Sequence, residues 1–188
     1  MNFTRLEKDI TENVREAQQK LGFEHRPLHL NYINSTLCHL LGTKLSDQEL
    51  AEIFPEFSAF TAERLGNITA SPIKDGLCLT IPAEGTEWVY STTTGNEFIC
   101  ALVEKARSAH ENIGSFLEVF YSFAGKDNVE VREVSNDEFD LLVYFRSGVP
   151  NNYRYCINTE PFPNGHFHIT YHRFIPEDYE DMFGGTPE

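Results

Sequence analysis

A chain of 188 residues in which 29 Asp and Glu outweigh 15 Lys and Arg, for a formal charge of −14, has the length of one compact domain or at most two small ones. With 40% hydrophobic and 13% aromatic residues it can fill an ordinary core, which excludes global disorder. Its acidity argues against general nucleic-acid binding and against polybasic membrane docking, and leaves basic proteins, cations and neutral ligands.

The first twenty residues, MNFTRLEKDITENVREAQQK, carry no apolar run of signal-peptide length, and nowhere do 18 apolar residues stand together. Secretion and membrane spanning are disfavoured. Thr4 with Glu7 reads as a capping box, and Leu6, Ile10, Val14, Ala17 and Leu21 recur at helical spacing until Gly22. After Pro27 a second helical stripe, Leu30, Ile33, Leu37 and Leu40 or Leu41, ends at Gly42. Ser46 with Glu49 opens a third helix that Pro55 interrupts, so residues 1–66 are expected to be helical. Between Asn67 and Pro82 the period changes, and Lys74, Asp75 and Gly76 suit the tight turn of a hairpin over 67–82.

Two further helices are expected within 94–124, on the stripes Phe98, Ile99, Leu102, Val103 and Ala106, then Ile113, Phe116, Leu117, Phe120 and Phe123. From Val129 the period becomes two, in VEVREV, EFDLLVYF, YRYCIN and HFHITYHRF, parted by the turn-rich SND, RSGVPNN and TEPFPNG. That predicts a four-stranded antiparallel meander over 129–174, followed by a short acidic helix over 176–183. The fold class is α+β. One domain over 1–188 packs N-terminal and central helices on one face of the C-terminal meander, with the hairpin near 67–82 as an addition.

If each turn closes without a bulge, Glu133 faces Phe139, Val143 faces Tyr155, and Cys156 faces His168. One face of the meander is then apolar, with Val131, Phe139, Val143, Phe145, Tyr155 and Ile169 among its members. The other collects Glu130, Arg132, Asp140, Leu142, Tyr144, Arg154, Cys156, Asn158, His166, His168, Thr170 and His172. With helices on the apolar face, this polar face is left for solvent, a ligand or a second subunit, and any localised function is expected there.

Three readings of that face compete. His166 and His168 stand about 6.6 Å apart along one strand and point the same way, so they can hold a transition metal with Cys156 as third ligand. His172 lies about 13 Å beyond His168 and falls out of reach. Cys156 beside His168 also fits a catalytic thiolate and its base, with Asp140 or Asn158 orienting the ring. The plainer reading is an open, solvated face whose cysteine merely packs, with Arg132, Asp140, Tyr144, Arg154 and Asn158 as ligand-binding candidates. His25, His29 and His39 show no HExxH spacing, and neither GxGxxG nor GxxxxGK[ST] occurs, so no cofactor is predicted. Cys38, Cys78, Cys100 and Cys156 form no CxxC pair, as expected of reduced thiols in a cytoplasmic protein.

The segments EFDLLVYF, YRYC, ITYHRF and EDYEDMF, clearest from Phe116 to Phe183, resemble an uncharacterised family of small cytosolic proteins from gut Firmicutes, a domain of unknown function. The resemblance implies a bacterial, intracellular protein with no assigned activity. It gives no role to Tyr155, Cys156, Tyr171, His172, Arg173 or Phe174. Two functions follow from the residues themselves. The first is a non-enzymatic interaction module for a basic protein or a second copy, using Tyr144, Tyr153 and Tyr179 near the sheet edges. The alternative is a metal- or thiol-dependent enzyme built on Cys156, His166 and His168.

Overall fold

The computed structural model describes residues 1–22, 25–93, 95–108, 112–134 and 138–183. Contacts gather into two units, Met1–Gly95 and Asn96–Glu188, each with its own antiparallel sheet and helices. The α+β class and the C-terminal four-stranded sheet stand as expected.

The first unit opens with α1 (Phe3–Leu21), which buries Leu6, Ile10 and Val14. Asn2 caps it by accepting from the Arg5 N–H at 3.0 Å. The expected Thr4–Glu7 box is thus displaced, and Glu7 forms a two-pronged ion pair with Arg64 instead. The second expected helix is half strand. Pro27 precedes β1 (Leu28–Ile33), and α2 (Asn34–Leu41) begins only after it. The run LHLNYI places Leu28, Leu30 and Tyr32 on one side at period two, whereas Leu37, Leu40 and Leu41 are the helical part of the stripe.

α3 (Asp47–Leu65) starts from the predicted Ser46–Glu49 capping box but runs straight through Pro55. A mid-helix proline costs about 3 kcal/mol. Burial of Leu50, Ile53, Phe54 and Phe57 on both sides of it offsets that loss. The hairpin forms as expected, β2 (Thr69–Ile73) to β3 (Gly76–Ile81), with Asp75 at φ 58° supplying the left-handed turn residue. It does not extend the meander but joins β1 in a sheet of order β1-β3-β2. α4 (Ala83–Thr92) has no forerunner in the sequence reading, because it buries little more than Gly85, Thr86 and Val89 and shows no continuous apolar stripe. A buried polar fork ties α1 to β1: Asp9 Oδ2 accepts from the Tyr32 hydroxyl at 2.7 Å and from Asn13 Nδ2 at 2.8 Å.

In the second unit α5 (Glu97–Arg107) and α6 (Ile113–Ala124) cover the meander β4 (Val129–Glu133), β5 (Leu141–Phe145), β6 (Arg154–Pro161) and β7 (Phe167–Phe174), paired in that order. The core between them is aromatic: Phe98, Phe116, Phe120, Phe145 and Tyr155 are all almost fully buried. The turn expected at Ser135, Asn136 and Asp137 lies outside the described residues. α7 (Pro176–Phe183) ends the unit where the acidic helix was expected.

Candidate functional site

The observed registers move the expected cross-strand rows. Glu133 pairs with Leu141 rather than Phe139, Val143 pairs with Tyr155 as expected, and Cys156 pairs with His172 rather than His168. The first shift is two residues and the second four. Both are even, so residues within the strands keep their faces while the neighbours on each face change.

The Cys156–His168 pair is therefore not formed. His168 stands opposite Glu160, with its Nδ1 3.9 Å from a carboxylate oxygen, and His166 precedes β7 in the turn. Among the described residues no three His, Cys, Asp or Glu side chains gather closely enough to hold a metal ion. Cys156 itself is fully buried, and burial pushes its thiol up to about 12. Desolvation favours the neutral S–H, the opposite of what a nucleophile needs.

One measurement and one pH dependence follow. Iodoacetamide at mildly alkaline pH should modify exposed Cys100 in the native protein and reach Cys156 only on unfolding, read by peptide mass spectrometry. The sign of the pH effect is fixed too. A folded pKa raised from 9.0 to about 12 leaves this group's contribution intact below pH 9.0 and removes stability as pH climbs through that window.

This side of the meander has a second cover that the sequence reading omits. α7 lies over the polar face. Its Tyr179 interacts electrostatically with Cys156, Arg132, Arg154 and Tyr144, and its Phe183 ring meets Phe139 and Phe174 at 5.6 and 5.9 Å. Phe139 thus packs with this side and not with the apolar face, since it precedes β5 and escapes the strand's alternation. Asp178, one of the four acidic residues of α7, is buried.

Of the ligand-binding candidates, three converge. Glu130 pairs with Tyr144, and continuation of the β5–β6 register sets Tyr144 opposite Arg154. The Arg154 guanidinium stacks 4.3 Å from the Tyr144 ring centre, and that of Arg132 lies 5.6 Å from it. Glu130 joins the patch from β4, bonded to Arg132 Nε at 3.1 Å and to Arg146 Nε at 2.9 Å. These two hydrogen bonds, from Arg132 first, hold its carboxyl below the ordinary range. Tyr179 is pushed up by burial, with Arg132 and Arg154 pulling the other way.

Asp140 and Asn158 do not join. Both the N–H and hydroxyl of Thr159 donate to Asp140 Oδ2 at 2.6 Å, a structural clasp, and Asn158 pairs with Thr170. Arg146 lies in the turn after β5, where no alternation could have assigned it, and Tyr179 reaches the patch only through the docking of α7. The signal for the other members was parity alone.

A family model described as "Domain of unknown function, E. rectale Gene description (DUF3877)" matches residues 3–183. The chain belongs to this family. The match extends the resemblance read from Phe116 to Phe183 across both units, so the DUF3877 region takes in the β1-β3-β2 sheet as well as the meander. No curated protein and no solved structure matches the chain. The DUF3877 description assigns no activity to the patch, and its chemistry must be read from its own side chains. Arg132 already turns an N–H to Glu130, whereas a guanidinium stacked as that of Arg154 is can direct its N–H edge to a carboxylate or carbonyl, and the tyrosines add apolar area with a hydroxyl at its rim. No helix among the described residues is long and apolar enough to cross a membrane.

Proposed function

We propose that this DUF3877 protein is a non-enzymatic protein-interaction module whose contact surface is centred on Tyr144, with Arg132, Arg154 and Tyr179 around it. The observation that carries this reading is the pair of guanidinium groups stacked on one tyrosine ring at 4.3 and 5.6 Å. Tyrosine and arginine are the side chains most enriched at the energetic centres of protein interfaces. Net charge and local patch act at different ranges. A chain of −14 draws a basic partner in from a distance, and at contact Arg154 calls for a carboxylate or carbonyl on that partner. The absence of a disulfide among Cys38, Cys78, Cys100 and Cys156 supports a reducing, cytoplasmic setting.

The test compares the full chain with Arg154→Ala and Tyr144→Ala, each checked for an unchanged circular dichroism spectrum, as bait on extract from the source organism. A specific partner should be retained at low salt, released at high salt, and bound about 30-fold more weakly by either variant, equivalent to about 2 kcal/mol. Retention of the same proteins by both folded variants would remove the patch from the interface. Absence of any salt-sensitive partner would remove the module reading itself.

A further inference from the structure

We infer that Arg154 receives a single carboxylate carried beside an aromatic residue of the partner, one acidic anchor within an otherwise basic or neutral segment. The inference deepens the interface reading and rests on it. What carries it is an arginine without a counterion. The guanidinium groups nearby are engaged, since Arg132 Nε and Arg146 Nε both bond to Glu130, at 3.1 and 2.9 Å. Arg173, near the end of β7, has a partner besides the Tyr153 ring on which it stacks. α7, which lies over this face, brings Glu177, Asp178, Glu180 and Asp181. None of these carboxylates reaches Arg154, and among the described residues its guanidinium has no hydrogen bond and no ion pair.

Nor does this arginine simply extend into water. It is half-buried at the start of β6, with its guanidinium 4.3 Å from the centre of the Tyr144 ring on β5 and with Phe174 at the opposing position on β7. Tyr179 of α7 lies within electrostatic reach. A charge partly withdrawn from water and left unpaired costs free energy that an incoming anion restores. A guanidinium stacked by its face still has its N–H edge to offer, a fork of parallel donors that matches a carboxylate.

Charge narrows the ligand further. One free fork takes one carboxylate. A phosphate dianion would call on the second guanidinium, Arg132, which Glu130 already holds, and would meet the Glu130 charge as well. A run of acidic residues would meet the four carboxylates of α7 and a chain of −14. A lone carboxylate in a basic or neutral segment avoids both costs, and the net charge can still draw that segment in. Tyr144, Phe174 and Tyr179 supply the rest of the specificity. They offer aromatic surface beside the charge, and a ring adjacent to the carboxylate packs against it.

Nitrogen–proton NMR titration of the full chain, read at the Arg154 Nε–H, tests this with three acetylated dipeptides of equal size. Glutaminyl-phenylalanine amide carries no carboxylate, glutamyl-phenylalanine amide carries one on a side chain, and glutaminyl-phenylalanine with a free end carries one at its C-terminus. At least one of the two acids should bind about tenfold more tightly than the neutral peptide, and the tighter one tells whether a side chain or a chain end is the source. Alanine in place of its phenylalanine should weaken that acid about threefold or more, and an unchanged affinity would overturn the aromatic half of the inference. Folded Arg154→Gln, followed at neighbouring backbone signals, should lose the preference for acids, and Arg154→Lys, which keeps the charge without the fork, should lose most of it. Equal binding of the three peptides by the wild type would overturn the inference, as would a preference that survives in Arg154→Gln. Its failure is distinct from that of the interface. Partner capture weakened by Arg154→Ala, with no preference for acids, overturns the carboxylate and keeps the contact surface. A preference for acids with no captured partner keeps the carboxylate site and overturns the module.

Discussion

Phe98→Ala should cost the second unit about 3–5 kcal/mol of unfolding free energy, seen as a lower urea midpoint by far-ultraviolet circular dichroism. Phe98 is 1% exposed and joins most of the parts of that core. Its ring lies edge-on to Phe120 at 5.2 Å and Phe123 at 5.5 Å on α6, to Phe145 at 5.2 Å on β5, and to Tyr155 at 5.7 Å on β6. Truncation removes the buried area of a phenyl group and four such ring contacts at once, and the surrounding backbone elements cannot all close on the void. Phe162, 45% exposed, is the matching control, and its alanine variant should fall within about 0.5 kcal/mol of the wild type. Equal losses at the two positions would contradict the packing described for α5.

Gly76→Ala should strike the first unit by the opposite mechanism. A Cβ there would sit 2.0 Å from the Tyr32 carbonyl oxygen and 2.9 Å from the Ile33 Cα, and both obstacles are backbone. No rotamer change can relieve the overlap, so β1 must part from β3, at a cost at or above the usual 1–3 kcal/mol of overpacking. Trp88 is the only tryptophan and belongs to this unit, so its fluorescence reads the loss directly. Gly42 offers the contrast. Nothing obstructs a Cβ there, and only its φ of +69° opposes substitution, so Gly42→Ala should cost about 1 kcal/mol. If Gly76→Ala melted like the wild type, the β1–β3 register would have to be redrawn.

What could be read from the residues is closely tied to period. The meander's faces were legible because alternation depends only on whether a position is odd or even, and turn lengths that shifted the registers by two and four left that parity untouched. The rows were not legible, because they depend on how each turn closes. The metal and thiol readings drew on a row, the pairing of Cys156 with His168, which the structure does not form. Arg132, Tyr144 and Arg154 rested on face membership and on the one register that held, and they converge. β1 was hidden because Leu30 and Ile33 also suit a helical spacing that Leu37 continues, and a short apolar run does not distinguish the two periods. Pro55 misled because local propensity was weighed without the phenylalanines packed around it.

The position of α7 over the second face of the meander also has an order in time. The chain leaves the ribosome from its N-terminus, so all four meander strands are complete before Pro176 to Phe183 emerge to cover them. Over that interval Cys156 lacks the helix that carries Tyr179, and the thiol is open to reagents that the finished protein excludes. Pulse labelling of Cys156 on stalled nascent chains would therefore time the arrival of this cover during synthesis.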